Sequence, residues 1–220
     1  MNENKISDLI IKSYNAEKYN NLSVAIKNWN ALLKEDIDKN LQATTHLNLA
    51  KLHNKQGNND LSVEEIERAI TANPDSYEAY FVLGFMQFEK QNFPQAIVNF
   101  EKSLKFNEND AGIYNNLANC FDRVEKFESA IFNYSKAVKL NPKYIASFYN
   151  RGNVYCKVKD YKNAIKDLTS AINLDENFYQ AYYNRGQIYK LINENHLAKN
   201  DLKIAKQLAK ADIESSAQVL

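Results

Sequence analysis

The sequence predicts an all-α fold, a solenoid of about six helix–turn–helix units. Three observations predict it. First, the string SFYNRGNVY at Ser147–Tyr155 returns as AYYNRGQIY at Ala181–Tyr189, 34 residues later, and a fixed period of that length is the mark of a repeat architecture. Second, the chain holds only five Gly and three Pro. An all-β chain needs turn signals every ~8–12 residues, and here they are missing. Third, small and bulky residues recur at i, i+4, i+7 spacing, the period of one helix face.

Taken in order, the units are 6–39, 43–76, 77–110, 111–144, 145–178 and 179–212, with a three-residue insertion, Asn40 to Gln42, after the first. Within each unit, position 8 is small: Ser13, Ala50, Gly84, Ala118, Gly152, Gly186. Position 20 is small as well: Ala25, Ser62, Ala96, Ala130, Ala164, Ala198. Position 24 is bulky: Trp29, Ile66, Phe100, Tyr134, Leu168, Leu202. Positions 4, 8 and 11 share one face of a first helix, and positions 20, 24 and 27 share one face of a second. Small residues let the two backbones approach, and large ones fill the remaining space. Polar turns such as KQGNND and KVKDY separate the helices. Pro74 and Pro142 at position 32 stop the second helix, because proline has no N–H and disfavours helix in the residue before it. The last unit carries Lys199 and Lys206 where earlier units have Ile, Val or Leu, as expected of a terminal repeat with no neighbour to cover it. Ile213 to Leu220 is expected to prolong the last helix or fray.

These columns, with Leu83-Gly84 at positions 7–8 and Tyr155 and Tyr189 at position 11, resemble the tetratricopeptide repeat (TPR) family over residues 6–212. The resemblance implies about twelve helices stacked as one domain, residues 1–220, in a right-handed superhelix. It also implies a ligand groove lined by positions 2, 5, 6, 9, 12 and 13 of each first helix. At position 6 stand Asn116, Asn150 and Asn184; at position 9, Asn119, Asn153 and Gln187; and Asn115, Tyr149 and Tyr183 occupy position 5. An Asn side chain carries both a donor and an acceptor and can pair with a peptide N–H and C=O together. The column is similar to the asparagine ladder in the TPR superhelix of O-linked N-acetylglucosamine transferase, at Asn116, Asn150 and Asn184. Solvated or locally bonded amides are the alternative. The third unit instead offers Phe81, Val82, Phe85 and Phe88 on this face, a candidate pocket for an apolar anchor; packing against a neighbouring helix is the alternative, for Phe88 above all. The carboxylate clamp of chaperone-binding members needs Lys at positions 5 and 2. Neither position holds one here, which argues against binding the acidic tail of a heat-shock chaperone.

Arg151 and Arg185 take position 7 in the two units that carry Asp167 and Asp201 at position 23. The correlated change reads as an interhelical ion pair; whether Arg185 meets Asp201 or Asp167 is left open. The formal net charge is +1, which argues against a nucleic-acid surface. No run of residues is long and apolar enough to insert directly into a membrane. His46, His53 and His196 lack metal-ligand spacing, and Cys120 and Cys156 read as reduced thiols. Neither a cofactor nor a catalytic residue is expected. The leading expectation is a non-enzymatic, cytoplasmic scaffold or adaptor that binds an extended peptide or partner protein. The alternative is an assembly module, a homo-oligomer or part of a secretion, pilus or envelope-associated complex.

Overall fold

The computed structural model describes residues 2–217. Its described residues form twelve α-helices and no strand. They group into two compact units divided between Glu108 and Asn109. Each unit holds three helical hairpins.

Unit 1 consists of α1 (Asn2–Lys18), α2 (Leu22–Leu32), α3 (Lys39–Lys55), α4 (Asn59–Ala72), α5 (Tyr77–Glu89) and α6 (Phe93–Phe106). Unit 2 consists of α7 (Ala111–Arg123), α8 (Phe127–Leu140), α9 (Ile145–Lys157), α10 (Tyr161–Leu174), α11 (Tyr179–Leu191) and α12 (Asn195–Ala217). From the third repeat on, every first helix begins at position 1 and every second helix at position 17. The three-residue insertion forms no loop; it lengthens α3 at its N-terminus, where Asp38 accepts a hydrogen bond from the Leu41 amide at 2.8 Å. The last helix continues through the expected tail as far as Ala217.

Position 15 ends every first helix with a left-handed residue: Asn20, Gly57, Gln91, Glu125, Lys159 and Asn193 all have φ between 55° and 78°. The amide that follows returns to a carbonyl five residues back, as from Asn92 to Gln87 at 2.8 Å and Asp160 to Tyr155 at 2.8 Å. This is the Schellman closure of a helix C-terminus. Three second helices, α4, α8 and α10, end instead in an Asx turn. Asn73, Asn141 and Asp175 at position 31 each accept a hydrogen bond, at 2.9–3.0 Å, from the amide two residues on. The turn forms at Asp175 without a proline behind it, so proline at position 32 reinforces a stop that the Asx residue already makes.

The core fills the space within each hairpin and continues between neighbouring hairpins of a unit. Trp29, Leu32, Leu49 and Leu52 anchor it at the start of unit 1, and Leu168, Ala171, Ala181 and Ile188 near the end of unit 2. At position 8 the close approach is literal. A Cβ on Gly84 would stand 2.9 Å from the Phe100 ring, and one on Gly186 would stand 3.0 Å from Leu202 Cγ. The large residue at position 24 occupies the space a side chain at position 8 would need.

Candidate functional site: the groove-face positions of the first helices

The first helices of neighbouring repeats meet at positions 6 and 9, and the residues there decide how the seam closes. In unit 2 both seams are zipped by amides. Asn150 Nδ2 donates to Asn119 Oδ1 at 3.1 Å, and Asn184 Nδ2 donates to Asn153 Oδ1 at 2.7 Å. Each bond is braced by a phenol. Tyr134, buried behind α7, donates its hydroxyl to Asn119 Oδ1 at 2.5 Å, while the Tyr149 hydroxyl accepts from Asn184 Nδ2 at 3.1 Å. The Tyr149 ring packs on Phe178, with centroids 4.8 Å apart.

The amide column is therefore spent in part on the protein itself. Both N–H groups of Asn184 are used, and one of Asn150, while the Oδ1 atoms of both accept nothing among the described residues. Asn116 and Gln187 are half-buried and have no side-chain partner among the described residues. Tyr183 is half exposed, at 51%. Asn115 does not face the groove as position 5 suggested. It is buried, and its Oδ1 accepts the hydroxyl of buried Ser147 at 2.9 Å. A small residue at position 3 of the following repeat draws the amide into the seam.

Unit 1 opens differently. Its first seam bonds through Asn48 Nδ2 and the Tyr14 hydroxyl at 3.5 Å. Its second seam sets Lys51 at position 9 against Val82 at position 6. Val82 has no polar atom to offer, so no rung forms. A cavity of about 330 Å³ lies there instead, lined by Glu17, Ala50, Lys51, Leu52, Asn54, Lys55, Ser62, Phe81, Val82, Phe85 and Met86. Its floor is settled: Ser62 Oγ donates to the Ala50 carbonyl at 2.8 Å and lies 3.5 Å from Met86 Sδ. Glu17 is held by the Trp29 indole N–H at 2.8 Å. Phe81 leans on Phe100 at 5.7 Å, and Phe85 is 41% exposed. Phe88 is absent from the lining and packs edge-on against Phe93 at 5.5 Å. Residue reasoning missed Lys55, Asn54 and Met86. Lys51 and Lys55 carried a usable signal, because positions 9 and 13 continue the same groove-face spacing.

The arginines of the duplicated string are structural. Arg185 Nε and Nη2 donate to Asp201 Oδ2 and Oδ1 at 2.7 and 3.0 Å, a fork within its own repeat. Its third nitrogen, Nη1, donates to Thr169 Oγ1 of the preceding repeat at 2.9 Å. The Tyr182 and Tyr189 rings lie 5.7 and 5.9 Å from the guanidinium carbon. Arg151 repeats every contact with Asp167, Ser135, Phe148 and Tyr155.

Burial pushes the Cys120 thiol up to about 12 and raises Cys156, so neither is poised as a thiolate nucleophile. His46 Nδ1 lies 2.6 Å from Glu65 Oε2, which Arg68 also engages. Among the described residues no group of three or more His, Cys, Asp or Glu is placed to hold a metal ion. Among them, too, no helix is long and apolar enough to cross a membrane.

Helical hairpins in strict register, each closed by a small residue at position 8 against a bulky one at position 24, define an all-α helix–turn–helix repeat protein. Family models described as tetratricopeptide repeat match residues 47–112, 111–144 and 179–212, and a model described as TPR repeat matches 152–192. The chain belongs to the tetratricopeptide repeat family. No curated protein sequence matches it. Among solved structures, PilF of Pseudomonas aeruginosa superposes with a TM-score of 0.80 at 14% identity, over 99% of this chain and 98% of that one. MamA gives 0.72 at 20% identity, over 76% and 97%. YrrB, described as a TPR protein with an unusual peptide-binding site, gives 0.68 at 19% identity, over 81% and 92%. At these identities the likeness is one of fold.

Proposed function

We propose that the protein is a non-enzymatic scaffold that binds an extended peptide or partner protein along the groove-face positions of its first helices. The observation that carries this reading is the unspent amide capacity of unit 2. Asn116 and Gln187 have no side-chain partner among the described residues, and Asn150 and Asn184 keep open acceptors beside exposed Tyr183. A peptide backbone supplies N–H donors and C=O acceptors for such atoms, whatever its side chains are. Each net hydrogen bond contributes about 0.5–1.5 kcal/mol, while association costs at least about 4 kcal/mol. Amides alone do not bind tightly, and apolar anchors are needed as well. Both cysteines are free, which fits a reducing compartment such as the cytoplasm.

The test removes only unspent amides. Asn116→Ala with Gln187→Ala breaks no bond within the protein, so the thermal midpoint should stay unchanged. Recovery of partners from a cell lysate by the immobilised variant should fall about tenfold or more, taking roughly 1 kcal/mol for each amide. Identical recovery of every partner by the wild type and this variant would count against the reading.

A further inference from the structure

We infer that the unit 1 cavity takes an apolar side chain of a partner peptide whose neighbouring residues are acidic, with the carboxylates on Lys51 and Lys55. The inference rests on the proposed groove-face reading and names the class of peptide for one part of it.

The apolar half of the argument is the lining. Phe81, Val82, Phe85 and Met86 from α5 face Ala50 and Leu52 from α3 across about 330 Å³. That volume reaches the lower range of ligand pockets, about 300–1,000 Å³. Phe85 is left 41% exposed at its mouth, where an aromatic or branched side chain would cover it.

The charged half is the rim. Lys51 and Lys55 lie four residues apart on α3, both exposed, and neither has an ion-pair partner among the described residues. Side chains at that spacing share one helix face, so both ammonium groups flank the same opening. The one carboxylate in the lining, Glu17, accepts the Trp29 indole N–H and makes no ion pair with either lysine among the described residues. The lining therefore holds two cations against one anion, a net positive rim beside an apolar floor. An anionic group next to an apolar one is the complementary chemistry.

An extended chain suits the site better than an isolated small molecule. A second depression of about 190 Å³, lined by Asn54, Asn59, Met86, Glu89 and Lys90, shares Asn54 and Met86 with the first. A backbone leaving the cavity has a polar channel to follow, one that offers an amide as both donor and acceptor.

The probe is a random linear-peptide phage library panned on the immobilised full chain, in parallel with Lys51→Glu/Lys55→Glu and with Phe85→Asp. All three changes are at exposed positions, and circular dichroism checks that the folds are retained. The wild type should enrich peptides with an aromatic or aliphatic residue flanked by Asp or Glu. The charge-reversed variant should enrich Lys- or Arg-flanked peptides instead. A recovered acidic peptide should bind that variant about tenfold or more weakly than the wild type. Its binding to the wild type should weaken as salt rises. Enriched peptides without an acidic bias, or equal binding to Phe85→Asp, would overturn the inference and leave the broader groove-face reading standing. Failure to enrich any peptide over an unrelated control would overturn both.

Discussion

Replacing Arg185 separates two views of the forked ion pair in the last repeat. Asp201 is 3% exposed, and both its oxygens are taken by Arg185. Arg185→Ala leaves a buried carboxylate without its cation, a change that costs about 3–5 kcal/mol in buried pairs. The Arg185 side chain is itself 15% exposed, and water can follow it, so the lower end, about 3 kcal/mol, is expected. Thr169 does not add to the loss, because its hydroxyl already donates to the Ile165 carbonyl at 2.7 Å.

The double change Arg185→Leu with Asp201→Asn should recover nearly all of that. Repeats three and four already use the same combination, Leu83 with Asn99 and Leu117 with Asn133. There the position-23 amide bonds within its own helix, Asn99 to Gln95 at 3.0 Å and Asn133 to Ser129 at 2.8 Å. In the variant, the amide introduced in place of Asp201 would have the Leu197 carbonyl in the equivalent place. The double variant is expected within about 1 kcal/mol of the wild type, since an apolar pair can replace a buried ion pair at little cost. Urea unfolding followed by far-ultraviolet circular dichroism measures this. Fluorescence of Trp29, the single tryptophan, reports unit 1 separately. A loss below about 1 kcal/mol for Arg185→Ala, or a double variant less stable than that single one, would refute the reasoning.

Two further outcomes follow from the backbone and the buried thiol. Lys159 holds φ 63° where the second repeat has Gly57 at 78°; a left-handed side chain costs about 1–2 kcal/mol, of which glycine's looser unfolded chain returns about 0.4–1. Lys159→Gly should therefore raise the urea midpoint and Gly57→Ala lower it, and the opposite signs would remove the strain argument. Cys120 is raised from its ordinary 9.0 to about 12 by burial, so its neutral thiol adds stability that is complete below pH 9 and is lost as pH rises towards 12. At roughly 1.4 kcal/mol per pH unit in that window, Cys120→Ala should lose stability less steeply between pH 9 and 11 than the wild type. Parallel slopes in urea unfolding would show that the thiol titrates normally.

The parts of this structure that the sequence made legible are those where side-chain size alone decides. Gly84 against Phe100 and Gly186 against Leu202 are steric pairs, and a column of small residues opposite a column of large ones announces them. The Arg–Asp fork was legible for a related reason: both partners changed together in the same two repeats. The left-handed turns were not. Gln91, Glu125 and Lys159 carry no turn signal of their own, and their φ is imposed by the Schellman closure around them. The groove face was legible as positions but not as bonds. Periodicity places Asn150 and Asn115 on nearby faces. Only the neighbouring helix shows that Ser147 draws Asn115 inward while Asn119 draws on Asn150.

That difference bears on how a repeat protein divides its residues between stability and binding. In a solenoid each repeat is stabilised by its neighbours, so a seam residue that pairs with the next repeat is not free to serve a ligand alone; Asn116 and Gln187, which make no such pair among the described residues, are the exceptions in unit 2. Positions 6 and 9 are seam residues. Where both are amides, as in unit 2, the first hydrogen bond goes to the neighbour, and on the proposed reading a peptide would take the remaining lone pairs and N–H groups. Where they cannot bond, as with Lys51 and Val82, the seam yields a cavity and an uncommitted charge. On the proposed reading, a closed seam would read a peptide backbone with little side-chain preference, and an open one would add a pocket with a size and a sign. The same two columns thus set both how firmly adjacent repeats hold together and what kind of recognition each seam can support, which is why the departure from the asparagine pattern at Val82 says more about specificity than the pattern itself.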